Sequence, residues 1–186
     1  IKKLFIVSKY IIDFDLFYLK QIIIKSIIKI QIFLFIPIGV FIVLFIRLIR
    51  PWILVRIGML VSQRIGHYAG NTELYCCEIE AGINAVQQKH IDLWYNNWPI
   101  CNKQLARMWA RSINIFPTWL LAPADWVNSW IPGGDIHKIR DATCEDRDVN
   151  NLLDLYDPHI SFTPEEEELG KLGLKALGLP RNAPFV

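Results

Sequence analysis

The sequence predicts an α/β domain with a parallel sheet, preceded by hydrophobic helices. Three observations carry this expectation. Trp52–Val61 is a near-continuous apolar run, strand and helix patterns alternate after it, and a block of Ile, Phe and Leu with almost only basic charges comes before it. With 53% hydrophobic residues among 186, the chain is too apolar for a disordered polymer, and it has no Gly-X-Y period. Charge divides it sharply. Residues 1–66 hold ten Lys/Arg against two Asp, whereas 67–186 hold ten against sixteen Asp/Glu, so the formal +2 describes neither part.

We divide the chain into residues 1–50, membrane-associating, and 51–186, a folded domain. Within the first, Ile27–Ile46 is interrupted only by Lys29, Gln31, Pro37 and Gly39. Its 20 residues match the roughly 20 that a spanning helix needs. Lys20, Lys25 and Lys29 flank one side, and Arg47, Arg50 and Arg56 the other, which leaves the positive-inside rule undecided. Pro37 predicts a kink, so the segment fits either a span or a re-entrant, interfacial helix. Upstream, Lys2, Lys9, Asp13 and Lys20 share a stripe about 40° wide, giving an amphipathic helix over Lys2–Lys20. A helix buried in a larger protein is the plainer alternative. The apolar run lies too far from the start, with no small-residue cleavage site after it, for a signal peptide.

In the second part, Trp52–Val61 reads as a central parallel strand covered on both faces. Ser62-Gln63-Arg64-Ile65-Gly66 breaks it, and a helix over His67–Ala81 follows, with Gly82 at its C′ position. Ile91–Tyr95 is a second strand and Asn96-Asn97-Trp98-Pro99 a turn. Asn102 caps a helix over Lys103–Ile113 whose Leu105, Met108, Trp109 and Ile113 share a face. Pro117, Pro123 and Pro132 leave room only for a short helix near Ala124–Trp130. Thr163-Pro164-Glu165-Glu166 is a capping box, and its helix carries Leu169, Leu172, Ala176 and Leu177 on one face and ends at Gly178.

Chemistry centres on the loop after the first strand, where open α/β folds place ligand groups. Arg64 suits a phosphate or carboxylate, Gly66 allows a sharp turn or close approach, and His67 suits acid–base work or donation to an acceptor. Asn71 and Glu73 follow in the first turns, Glu73 as a base or a favourable charge at the helix start. An ordinary capped turn accounts for the same residues. Cys76, Cys77, Cys101 and Cys144 lack metal-ligand spacing, so no metal site is expected. His90, His137 and His159 read as surface or turn residues, Arg140–Asp148 as a solvated loop, and the many Trp as core or, alternatively, as sugar-stacking faces. The acidic balance argues against nucleic acid. Phosphate-loop, serine-hydrolase and zinc-protease motifs are absent, which disfavours a hydrolase.

Three segments in order carry a resemblance. They are Arg64–Tyr75; Ile100–Leu105 with Trp109; and Phe162–Gly170 with Leu177-Gly178-Leu179-Pro180. Together they resemble the signatures of a family of bacterial surface-polysaccharide glycosyltransferases, over about Pro51–Val186. The resemblance implies the Rossmann-like, acceptor-side N-terminal half of a GT-B-like enzyme. Arg64, Gly66, His67, Asn71 and Glu73 would face its cleft, with His67 or Glu73 as the base and Arg64 orienting a phosphate. It also implies a nucleotide-sugar donor as substrate with no further cofactor, a lipid-linked or glycan acceptor, and a place at the cytoplasmic face of a bacterial inner membrane. The chain opens on Ile and stops at Phe185-Val186, which we read as a cut at the start of a buried strand; such a piece is expected to be inactive alone. The competing expectation is a non-enzymatic membrane-tethered scaffold of a polysaccharide assembly complex.

Overall fold

The computed structural model describes residues 33–83, 86–139 and 147–179, with 19, 22–24, 26–27 and 30–31. It is a mixed α/β structure with a two-stranded parallel sheet. In chain order the elements are α1 (Ile36–Ile49), β1 (Leu54–Leu60), a π-turn (His67–Asn71) running into α2 (Thr72–Glu80), and β2 (His90–Asn96). Then come α3 (Lys103–Ser112), α4 (Thr118–Trp130), a 3-10 turn (Gly134–His137), α5 (Leu152–Leu155) and α6 (Pro164–Ala176). They form two compact units, one on the described residues up to Met59 with Val86–Asn96 and 116–139, the other on 60–83, Asn97–Ile115 and 147–179.

The first unit is built on β1. Backbone groups in a parallel strand point alternately to its two edges. On one edge the Leu54 amide donates to Lys89 O at 2.9 Å, and β2 continues the pairing. On the other, the Ile139 amide donates to Ile57 O at 3.0 Å, within a parallel bridge between Ile57 and Lys138. β1 is therefore central, with parallel neighbours on both edges in the order β2, β1, 138–139. That position explains why Leu54, Val55, Ile57 and Leu60 are all buried.

α1 and α4 pack against each other, and Val43 and Ile46 join Val55, Ile57, Tyr95, Leu121, Ala122, Ala124 and Val127 in one core. Several expectations change here. Pro37 lies in the first turn of α1, and a longer helical run is interrupted just before it: residues 33–34 are helical, Phe35 is a turn residue and the N-cap, and the helix resumes at Ile36. Among the described residues no helix is long and apolar enough to cross a membrane, and α1 has 14 residues. Apart from Leu19, the Lys2–Lys20 helix lies outside the described residues, as do Lys20, Lys25 and Lys29, the basic flank of the apolar segment. Arg47 and Arg56 do not stand as free cationic flanks. Arg47 donates to Pro132 O at 3.0 Å and to Ile131 O and Asn128 Oδ1 at 3.2 Å, meeting the carbonyls that α4 leaves open at its end. Arg56 pairs bidentately with Asp92 of β2, its Nε at 2.6 Å from Oδ1.

α4 is longer than Pro123 led us to expect, running straight through that residue. The proline costs one helical donor, and Gly39 of α1 lies directly against the Pro123 carbonyl. Trp119, Trp126 and Trp130 remain exposed on α4, with Trp126 and Trp130 rings 4.1 Å apart, whereas Trp94 is buried.

His137, expected at the surface or in a turn, ends the 3-10 turn and is buried in this unit at 1% exposure. A carbonyl only accepts, so its Nδ1–H donates to Val55 O at 2.7 Å. Burial, then the charges of Arg47 and Arg50, hold its pKa below the ordinary 6.5, against the opposing bond to Val55. The folded unit therefore keeps His137 neutral where the unfolded chain takes up a proton. Its contribution is complete above pH 6.5 and is lost as pH falls below that value, at up to about 1.4 kcal/mol per pH unit. Urea midpoints at pH 7.5 and 5.5 should show this loss. H137Q, which keeps a donor for Val55, should flatten it; an equal slope in H137Q would assign the loss to other groups.

In the second unit Leu105, Met108 and Trp109 are buried on one face of α3, and Asn102 Oδ1 accepts from the Leu105 amide at 3.0 Å as expected of its cap. α6 has the full capping box between Thr163 and Glu166, and Gly82 and Gly178 take positive φ at the two predicted C′ positions. The predicted apolar face of α6 is not buried, however. Leu169, Leu172 and Leu177 are all exposed among the described residues, and the helix is held instead through Glu166, which Arg111 grips with both terminal nitrogens at 3.0 Å. Arg111, with the Thr163 amide, lowers the Glu166 pKa to about 2. The strand expected after Pro180 lies outside the described residues.

Candidate functional site

The loop that leaves β1 is anchored before it turns. Ser62 is buried, its hydroxyl donates to Asn97 O, and its own carbonyl accepts from the Cys101 amide at 2.8 Å. Gln63 donates to Trp98 O, next to the cis Trp98–Pro99 peptide. These contacts tie 61–63 to the segment after β2 and leave Arg64, Ile65 and Gly66 exposed. Helical geometry begins here, two residues earlier than expected, and the Tyr68 amide donates to Arg64 O at 2.8 Å.

Gly66 is not a sharp turn. Its φ of −63° and ψ of −48° are those of any helical residue, so the conformational reason proposed for glycine is withdrawn. A Cβ at Gly66 or at Gly70 would meet nothing within 4 Å, so this surface is open to close approach. The widened turn His67–Asn71 follows. Single π-turns are uncommon and recur at functional sites. Here Tyr68 is fully buried and its carbonyl accepts from the indole of Trp109 at 3.0 Å, which pins the turn to α3.

His67 and Asn71 are brought together, Nδ1 to Nδ2, at 3.3 Å. With the amide so placed, Asn71 donates, Nδ1 accepts, and the neutral ring carries its proton on Nε2. A carboxamide turned by 180° would present Oδ1, place the proton on Nδ1 and make Nε2 the basic atom. The orientation of the Asn71 carboxamide thus bears on which ring nitrogen of a neutral His67 carries the proton.

Glu73 is not part of that pair. Its Oε1 accepts from the His159 amide at 3.0 Å and lies 2.8 Å from His159 Nδ1, while the other ring nitrogen lies 3.2 Å from Glu80 Oε2. His159, expected as a surface or turn residue, lies in a bend and is held between two carboxylates two turns apart on one face of α2. Its segment is fixed by Ser112, whose hydroxyl donates to His159 O at 2.6 Å, and by Arg111, which donates to Ser161 O at 2.9 Å.

Cys77 completes this group. It is fully buried, and its Sγ lies 4.0 Å from Glu73 Oε1. Burial and then the charges of Glu73, Asp148 and Glu80 raise its pKa, and burial with Glu73 and Cys77 pushes Cys76 up to about 12. Neither thiol is a ready nucleophile. Glu73, Cys77 and His159 nevertheless place three different ligand atoms within 4.8 Å of one another, against the expectation of unremarkable thiols. Nothing in the spacing of Glu73 and Cys77, four residues apart, pointed to a histidine 86 positions downstream. Cys144 and most of the Arg140–Asp148 loop lie outside the described residues; Asp148 itself accepts from the Leu152 and Leu153 amides at 2.8 Å and caps α5.

The first unit has a pocket of its own, about 210 Å³, lined by residues that include Gly58, Tyr95, Asp125 and Lys138. Tyr95 donates to Asp125 Oδ2 at 2.8 Å across it. This is below the roughly 300 Å³ at which small-molecule sites begin, and too small for a nucleotide sugar. No protein-family model, curated protein or solved structure matches the chain.

Proposed function

We propose that the chain is the acceptor-side, Rossmann-like part of a membrane-associated glycosyltransferase. It would act with a nucleotide-sugar donor on a lipid-linked or glycan acceptor at the cytoplasmic face of a bacterial inner membrane. The observation that carries the proposal is the position of Arg64, His67 and Asn71 directly after a central strand with parallel neighbours on both edges. In open α/β sheets that is the switch point at which ligands bind. Arg64, exposed at the helix start, suits the phosphate of a lipid-linked acceptor, favoured further by the helix N-terminus.

Of the two candidate bases, His67 is the better suited. Glu73 already accepts two hydrogen bonds from His159, whereas the His67–Asn71 pair leaves the choice of tautomer to a carboxamide rotation. With the Asn71 carboxamide turned so that Oδ1 accepts from Nδ1–H, His67 Nε2 would take the acceptor hydroxyl proton as that oxygen bonds to the anomeric carbon and the bond to the nucleotide phosphate breaks. Membrane association is supported by exposed apolar side chains on α1, including Phe41, Leu44, Phe45 and Leu48, and by the exposed indoles of Trp52, Trp119, Trp126 and Trp130, since Trp favours the headgroup level.

The test uses the full-length protein in membranes, a panel of nucleotide sugars and polyprenyl-phosphate-linked acceptors. Sugar transfer is expected, with H67A lowering kcat by about 100-fold or more and R64A raising KM for the acceptor. Both variants should fold as the parent does, because their side chains lie outside the core. Full activity in H67A would remove the assignment of the base. No transfer by the parent protein with any donor would favour the scaffold, which should still float with liposomes.

A further inference from the structure

We infer that Glu73, Cys77 and His159 form a binding site for a divalent cation of zinc's class, with Glu80 orienting the histidine. This stands apart from the proposed transferase chemistry, which needs none of these three groups.

The ligand set comes first. Thiolate, imidazole and carboxylate together are the donors that zinc takes, whereas magnesium and calcium prefer oxygen alone. Two ligands come from one face of α2, at positions 73 and 77, and the third from the segment that Arg111 and Ser112 hold in place.

The distances fit next. Around a tetrahedral zinc ion, with bonds of about 2.0 Å to N or O and about 2.3 Å to S, donor atoms stand about 3.3–3.6 Å apart. Here Oε1 and Nδ1 are 2.8 Å apart, Oε1 and Sγ are 4.0 Å apart, and all three fall within 4.8 Å. The Oε1–Nδ1 and Oε1–Sγ separations each differ from those values by about half an ångström, within reach of side-chain torsion.

The surroundings supply the rest. With Nδ1 on the metal, Nε2–H donates to Glu80 Oε2, already 3.2 Å away. That is the carboxylate–histidine–metal arrangement that fixes the ring and its tautomer. One thiolate and one carboxylate cancel the ion's two charges. Binding displaces the thiol proton of Cys77, while the proton on Nδ1 of a neutral His159 moves to Nε2, so one proton leaves as the ion enters. Three protein ligands leave a fourth position for water, on the side where His159 and Glu73 are partly exposed.

The experiment titrates the full-length protein, reduced and free of metal, with Co²⁺ and then competes with Zn²⁺. One equivalent should bind, with a thiolate-to-cobalt charge-transfer band in the near ultraviolet that Zn²⁺ abolishes. Acid release should accompany binding in weak buffer. H159Q, in a partly exposed segment, and C77S should each weaken binding at least tenfold, and C77S should erase the band. E80Q should weaken binding about 10–100-fold while keeping the band, as a positioning group does. Far-UV circular dichroism of each variant without metal checks that it folds; if C77S does not, H159Q and E80Q decide the matter. Failure of Co²⁺ and Zn²⁺ to bind the parent protein saturably would overturn the inference. So would binding without the band, or binding that H159Q and E80Q leave unchanged. None of these outcomes bears on H67A, so the two proposals fail separately.

Discussion

Asp92→Ala should lower the unfolding free energy by about 3–5 kcal/mol, the largest single-site loss expected in the first unit. Asp92 receives both Nε and Nη2 of Arg56, and the two side chains are 9% and 11% exposed. Their strands are neighbours, so the pair ties β1 to β2 across a sheet otherwise lined by Leu54, Val55 and Ile57. Removing the carboxylate leaves a guanidinium that cannot lose its charge and has been taken out of water. The cost is the desolvated cation losing its bidentate carboxylate, more than the attraction lost. Replacing both partners, as R56M with D92L, should therefore recover most of the loss. Urea denaturation in mild detergent reads both variants through the midpoint. A loss below about 1 kcal/mol in D92A would show that the pair behaves as a surface ion pair.

Gly39→Ala should destabilise the same unit by about 1 kcal/mol, although helix propensity alone predicts the opposite sign. In an exposed helix interior the change from Gly to Ala gains about 1 kcal/mol. At Gly39 the new methyl would stand 2.8 Å from Pro123 C, 2.9 Å from Pro123 O and 3.0 Å from the Ala124 nitrogen. All three are backbone atoms of α4, so no side-chain rotation relieves the contact and the two helices must separate. Separation loosens Val43 and Ile46 from Leu121, Ala124 and Val127, an overpacking cost of about 1–3 kcal/mol before the propensity gain is counted. Thermal unfolding with a control glycine decides the sign. Gly173 of α6 has open space around its Cβ position, and G173A should be neutral or stabilising. Equal gains in G39A and G173A would refute the close crossing of α1 and α4.

Much of the secondary structure was legible. Thr163 and Glu166 satisfy each other three residues apart, Asn102 reaches the amide at Leu105, and Gly82 and Gly178 relieve left-handed backbone at helix ends. Each depends on neighbours within one turn, so residue type and spacing suffice. The apolar run at β1 was equally plain, because a strand covered on both faces has no polar side to show. That Arg64, His67 and Asn71 follow this strand directly was legible from their positions in the chain. The π-turn was not, because it depends on Tyr68 being buried and on an indole from residue 109.

The sequence by itself determined the caps, the helix ends and the alternation of strand and helix, because these rest on contacts between residues a few positions apart. Only the tertiary structure decided the partners of the charged and polar groups: Arg47 with the end of α4, Arg56 with Asp92, His137 with Val55, and His159 with Glu73 and Glu80. These partners lie 36 to 86 residues apart along the chain. Before the chain folds, nothing in a lone arginine or histidine says which it will meet, and the identity of that neighbour decides whether the group is a surface charge, a buried neutral ring or a ligand.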